Sequence, residues 1–145
     1  MGDYPQRLYH EIPGWVKPGV SFHIRLRVAA DHQPPLTNLE VAPKLLEAVA
    51  HYYEQGRWYA SLFLLMPDHT HAVLAFPPHL AMSRVVGDWK RYTAHAAGIR
   101  WQPNYFDHRL RHTKERAETD SYILRNPVAK NLCLADANWP WVYRA

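Results

Sequence analysis

Residues 58–76 read WYASLFLLMPDHTHAVLAF, and this stretch sets the frame for the rest of the chain. Trp58 to Met66 is an uncharged run, apolar on both faces, as expected of a strand covered on both sides. Met66-Pro67-Asp68 interrupts it, and His69 to Phe76 reads as a second strand. A break that short pairs the two as a hairpin.

Upstream, Phe22, Ile24, Leu26 and Val28 alternate with Ser21, His23, Arg25 and Arg27, which predicts a half-buried strand with a basic outer face. A turn cluster from Asp31 to Pro35 follows. Val41, Leu45, Ala48, Val49 and Tyr52 recur at helical spacing, so a helix is expected from about Glu40 to Gln55, stopping at Gly56. Pro43 must lie near its first turn, where the missing N–H costs nothing. Downstream, Pro77 and Pro78 end the hairpin. Met82, Val85, Val86, Trp89, Tyr92 and Ala96 then trace a second amphipathic helix, with Lys90, Arg91 and His95 off the stripe and Gly98 just past the end. A further short strand is expected around Pro103 to Leu110. A last helix should start near Thr113 and run through Tyr122 toward Asn126, where Pro127 is expected to kink or end it. The order β, α, β, β, α, β, α predicts an α+β fold, an antiparallel sheet with helices packed on it. One domain over residues 1–145 is expected, with residues 1–19, rich in Pro and Gly, as an irregular arm.

Composition narrows the function classes. A chain of 145 residues leaves no room for a barrel enzyme of about 250 residues. Cys133 is the one cysteine, which excludes an internal disulfide and a cysteine-rich zinc site, and suits a reducing compartment. The N-terminus lacks the apolar core of a signal peptide, and no run approaches the roughly 20 residues of a membrane span. A soluble, cytoplasmic protein with no membrane partner is the expectation. The net charge is only +4, but residues 84–130 hold 10 basic and 5 acidic side chains, against 7 and 8 elsewhere. That basic half is interleaved with Trp89, Tyr92, Trp101, Tyr105 and Phe106, as phosphate neutralisation plus base stacking would require. A solvated helix face over ordinary core aromatics would look the same, and Trp89 in particular lies on an apolar stripe.

The most pointed local feature is Asp68-His69-Thr70-His71. On a strand, positions i and i+2 share a face, so His69 and His71 present two imidazoles side by side, as a metal site needs. Chance placement of 10 His in 145 residues gives roughly 0.7 such pairs, so the motif carries weight only through its company. Two histidines also leave a metal short of a third ligand. Other His-x-His chemistries fit poorly, because a histidine-triad hydrolase needs histidine where Val73 stands and a cupin needs glutamate near Ala75 to Pro77. Tyr122 and Asn126 are four residues apart, which on a helix places a phenol and an amide one turn apart on one face. The same spacing suits a core tyrosine followed by a turn-forming asparagine before Pro127.

Taken together, the stretches IPGWVKPGVSFHIRLR, LLMPDHTHAVLAF, GDWKRYTA, IRWQPNYFDHRLR, YILRNPVAKNLC and NWPW resemble the single-tyrosine HUH transposases, and most closely the REP-associated tyrosine transposases. They occur in family order from about Trp15 to Trp141. The resemblance implies an RRM-like, ferredoxin-like sheet with an HUH endonuclease core. It implies His69, His71 and Asn126 as ligands of Mg²⁺, with Mn²⁺ able to substitute, and Tyr122 as nucleophile. A phenol with pKa near 10 needs the metal to polarise the scissile phosphate. The expected chemistry is nicking and rejoining of single-stranded DNA near hairpins through a 5′-phosphotyrosyl intermediate. Arg25, Arg27, Lys90, Arg91, Arg109, Arg111 and Lys114 become phosphate-contact candidates, with Trp89, Trp101 and Tyr105 as stacking candidates. A homodimer is plausible from relatives. A Gly-Thr-Trp-Tyr element used by some members has no clear match, and Asn131 stands where relatives commonly carry glycine, a difference that touches helix termination. The alternative is a domesticated nucleic-acid-binding protein without catalysis. A replication or mobilisation initiator of the same chemistry would need extra domains that do not fit this length.

Overall fold

The computed structural model describes residues 12–17, 19–135 and 138–145; most of the expected arm, residues 1–11 and Pro18, lies outside them. The elements run β1 (Ser21–Arg27), α1 (Val41–Glu54), β2 (Tyr59–Leu65), β3 (His69–Ala75), α2 (Met82–Ala97), β4 (Phe106–Leu110), α3 (Thr113–Ala129) and β5 (Val142–Arg144). They form one antiparallel five-stranded sheet in the order β4-β1-β3-β2-β5, so the expected α+β architecture is the observed one. Among the described residues no helix is long and apolar enough to cross a membrane.

The predicted hairpin is the centre of the sheet. β2 and β3 pair antiparallel, and Met66 N–H closes the turn on His69 O at 2.8 Å. Period-2 alternation then assigns each strand residue to one of two layers. Ile24, Leu26, Phe63, Leu65, Ala72 and Leu74 face α1 and α2, where Leu45, Val49, Val85, Val86 and Trp89 complete the larger core. Leu62, Leu64, Met66, Val73 and Leu110 face the other way and pack with Ile123 of α3. His69 and His71 fall on this second side, because they share parity with Val73 along β3. The outer face of β1 that the alternation read as basic is therefore the same side of the sheet, not an open solvent face.

α1 is seated as its sequence indicated. Asn38 Oδ1 accepts the backbone N–H groups of Glu40 and Val41, and Pro43 sits in the first turn. Glycine at 98, φ 71°, ends α2 in the left-handed conformation that glycine adopts without a Cβ penalty.

Three expectations are corrected. Of the two outcomes expected at Pro127, a kink or an end, the end does not occur: α3 continues to Ala129 with the proline inside its last turn. The helix closes instead four residues later, where Leu132 N–H bonds Pro127 O at 2.8 Å and Asn131 N–H bonds Val128 O at 2.9 Å. Those two bonds, with Asn131 at φ 60°, make a Schellman closure that satisfies the terminal carbonyls. The segment after α3 supplies a strand that the periodicity did not reveal, since β5 has only three residues. It is held to the edge of β2 on both flanks, by Leu65 N–H on Trp141 O at 2.9 Å and the Trp139 indole N–H on Leu65 O at 3.0 Å before it, and by Ala145 N–H on Ser61 O at 3.2 Å after it. Finally, Trp89 is 0% exposed and therefore a packing residue rather than a stacking platform, while the partly buried Trp101 donates its indole N–H to Thr93 Oγ1 at 2.9 Å.

Candidate active site on the α3 face of the sheet

β1, β3 and α3 each place one kind of group at the same spot. The His69 and His71 rings have centroids 4.9 Å apart in an edge-on arrangement. Tyr122, on the third turn of α3, lies over them, its ring 5.7 Å from that of His71 and 6.5 Å from that of His23. Tyr122 is 55% exposed, which removes the core-packing reading of that residue. Its helical neighbours explain the placement. Ile123 is buried against the sheet, and Arg116 donates an Nη2 hydrogen bond to Ser61 Oγ at 2.7 Å, pinning α3 to β2. One turn beyond Tyr122, Asn126 is only 5% exposed, and its Oδ1 has no hydrogen-bond partner. A buried amide oxygen without a donor is costly unless something electropositive meets it.

Both histidines are committed through Nδ1. His69 Nδ1 lies 2.7 Å from Asp68 Oδ1, and because a carboxylate only accepts, the proton sits on Nδ1. His71 Nδ1 lies 3.0 Å from His23 Nε2, the two rings stacked with centroids 5.2 Å apart. Each ring is left with Nε2 to offer a ligand, the arrangement in which an outer partner fixes the tautomer of a metal-binding imidazole.

The electrostatics keep these rings neutral. Burial, reinforced by His69, His23, Arg25 and Arg27, pushes His71 down to about 3. Burial with Arg25 and His108 lowers His23 to about 4. Burial also lowers His69, with Asp68 opposing the shift through its hydrogen bond. Neutral imidazoles with free lone pairs are ready ligands. Among the described residues no three His, Cys, Asp or Glu side chains converge as a metal cluster. Two neutral imidazoles and the unpartnered amide oxygen of Asn126 are donor types that fit a divalent ion.

The basic candidates separate into groups. Arg25 and Arg27 stand beside the histidines, opposite His71 and His69 in the β1–β3 register. Arg111 and Lys114 are exposed around the start of α3. Arg109 spends its Nε hydrogen bond on Gly19 O at 2.7 Å. Lys90 and Arg91 belong to α2, on the opposite layer. The Lys90 ammonium is taken up by the carbonyls of Gln102 and Pro103 at 2.7 and 3.1 Å, and Arg91 pairs with Asp88. The structure therefore does not bring those two to the histidines.

Sequence reading missed two neighbours of the site, His23 and Asp68 as the partner of His69, and it named Phe106 as a stacking aromatic without placing it here, where its ring centroid lies 5.5 Å from that of His23 in a T-shaped contact. Parity put His23 on the correct face, but only the register shows that it meets His71.

Comparison with known proteins identifies the family and the fold. The family model described as IS200-like transposase matches residues 19–126. The REP-associated tyrosine transposase of Escherichia coli (strain K12) is 28% identical over 82 residues, which is 54% of this chain and 50% of that protein. The match thus spans about half the length of that curated relative. Among solved structures, a REP-associated tyrosine transposase bound to a REP hairpin superposes with a TM-score of 0.73 at 22% identity, covering 98% of this chain and 82% of the other. A protein described as a candidate transposase from Deinococcus radiodurans R1 gives 0.53 at 21% identity, over 86% of this chain and 98% of its own. At these identities the two structures speak for the fold.

Proposed function

This chain belongs to the IS200-like transposase family, and from that premise we propose that it nicks and rejoins single-stranded DNA beside hairpins, with Tyr122 as the nucleophile. The observation that carries the reading is the position of Tyr122: a half-exposed phenol held over His71, with the buried, unpartnered amide oxygen of Asn126 one helical turn away.

His69, His71 and Asn126 would hold Mg²⁺ or Mn²⁺, and the ion, when bound, supplies positive charge that polarises the scissile phosphate and offsets the charge developing on it. The chain's own side chains do the rest. His23 and Asp68 hold the two imidazoles with Nε2 turned to the ligand. Arg25 and Arg27 neutralise phosphates flanking the reacting one. Tyr122 Oη attacks phosphorus and forms an O–P bond while the bond from phosphorus to the 3′-oxygen breaks. The phenolic proton passes to water at the exposed ring, and the departing 3′-oxygen takes a proton from water and leaves as a 3′-hydroxyl. The product is a 5′-phosphotyrosyl link, which a DNA 3′-hydroxyl can attack in reverse without an external energy source. The REP hairpin bound by the structural relative makes hairpin-flanked single strands the substrate to try first.

Purified chain incubated with a hairpin oligonucleotide carrying single-stranded flanks, in Mg²⁺ or Mn²⁺, is expected to yield a denaturant-resistant protein–DNA adduct. The adduct should vanish in Tyr122→Phe. An undiminished adduct in that variant would remove Tyr122 from the role.

A further inference from the structure

We propose that the cleft lined by Arg25, Arg27, Gln102, Asn104, Tyr105 and Phe106 seats one unpaired nucleobase of the DNA strand whose phosphate lies at the histidines. The proposal rests on the strand-transfer reading above and adds to it a base-binding pocket beside the reacting phosphate.

The cleft originates in a mismatch of chain lengths. The last rung between β1 and β4 is Arg25 opposite Phe106, and the next contact is the isolated bridge between Val28 and Trp101. Leu26 and Arg27 span that interval on one side, while residues 102–105 span it on the other. The longer segment has to bow away from β1, and a space of about 200 Å³ opens between them.

The bow is fixed rather than loose. Gln102 N–H bonds Arg27 O at 2.9 Å, and its side-chain Nε2 donates to Val28 O at 3.1 Å. From the far side of the sheet, the Lys90 ammonium grips the carbonyls of Gln102 and Pro103. This gives Lys90 a positioning role in place of a phosphate contact. A pocket built before its ligand arrives loses little entropy on binding.

The lining selects the ligand class. Phe106 is 42% exposed, and the Arg25 guanidinium lies 4.7 Å above its ring, so an aromatic plane and a guanidinium plane are both at the cleft. Unpaired bases stack on such planes, whereas bases inside a duplex have no free face. Asn104 is exposed, with both a donor and an acceptor on its amide, and can meet a base edge in either orientation. Arg27 supplies charge for the phosphate of the same nucleotide. Phe106 also touches His23, which bonds His71, so the seat borders the candidate site directly.

The test measures binding in the Tyr122→Phe background, where no cleavage intervenes. The probe is a fluorescein-labelled hairpin oligonucleotide with single-stranded flanks, read by anisotropy, with each unpaired nucleotide replaced in turn by an abasic one. One flank position should weaken binding about fivefold or more when its base is removed, the scale of a lost base–aromatic stack. In Phe106→Ala that sensitivity should fall below about twofold, while Phe106→Trp should retain it. Asn104→Ala, on an exposed loop, should reduce sensitivity at the same position and at no other. Circular dichroism confirms that each variant is folded. Salt-dependent binding with no sensitive position, or a sensitivity that survives Phe106→Ala, overturns the base seat and leaves the strand-transfer reading intact. Failure to bind the hairpin at all overturns both.

Discussion

Tyr122 and Asn126 share one face of α3 yet meet opposite surroundings, the phenol half in solvent and the amide buried without a donor. Their spacing was legible in the sequence, but their exposure was not, because burial depends on how α3 is rotated against the sheet. If the Asn126 oxygen serves as a ligand, Asn126→Ala should weaken Mn²⁺ binding to the DNA-free protein. Asn126→Asp should preserve or strengthen it, and calorimetric titration reads both. His23 acts one step further out. Replacing it with Leu leaves His71 Nδ1 without a partner and should lower Mn²⁺ affinity roughly 10- to 100-fold, while His23→Gln, which keeps an acceptor, should lose less. The same histidines set a pH response. The folded-state pKa of His71, about 3, lies below the ordinary 6.5, so the unfolded chain binds the extra proton between those values. Stability is therefore present above pH 6.5 and declines as the solution is acidified, by about 2 kcal/mol from His71 at pH 5. Urea melts at pH 7 and 5 should show this decline in the metal-free protein, and His71→Asn should make it shallower without abolishing it, because His23 and His69 are lowered too.

Among the elements, the central hairpin and both amphipathic helices could be read from periodicity because their apolar patterns are long and their ends are marked by Pro or Gly. β5 could not, since three residues carry no period and its place is set by Trp139 and Trp141 docking on β2. The fate of Pro127 was misjudged for a related reason. Proline in a helix interior is unfavourable locally, but here it is buried and lies in the last turn before a Schellman closure. That closure depends on Asn131 in the left-handed region. Asn131→Gly should be close to neutral, whereas Asn131→Val should cost about 1–2 kcal/mol in a thermal or urea melt. Ile123 is the apolar anchor that seats α3 between Tyr122 and the sheet. Ile123→Ala should destabilise the protein by roughly 2–5 kcal/mol.

At the scale of the molecule, the sheet separates two tasks. One side, under α1 and α2, is a continuous aromatic and aliphatic core. The other combines a small apolar patch with the histidines, Arg25, Arg27 and the α3 tyrosine. The sequence marked these two sides by parity along β1, β2 and β3, and it marked the site by the His pair and the Tyr–Asn spacing. It did not show which cations reach the site. Several arginines of the basic half are spent internally: Arg84 and Arg91 join Arg57, from outside that half, on Asp88, and Arg100 pairs with Asp31. Binding to single-stranded DNA should still weaken steeply with salt, and Arg25→Ala or Arg27→Ala should reduce that slope by about one unit each, which Lys90→Ala should not. The central claim concerns one bond. Digesting the trapped protein–DNA adduct with protease and nuclease and sequencing the modified peptide by mass spectrometry should find the nucleotide 5′-phosphate on Tyr122. A nucleotide carried by any other residue, or a cleaved strand with no modified peptide, would contradict the account.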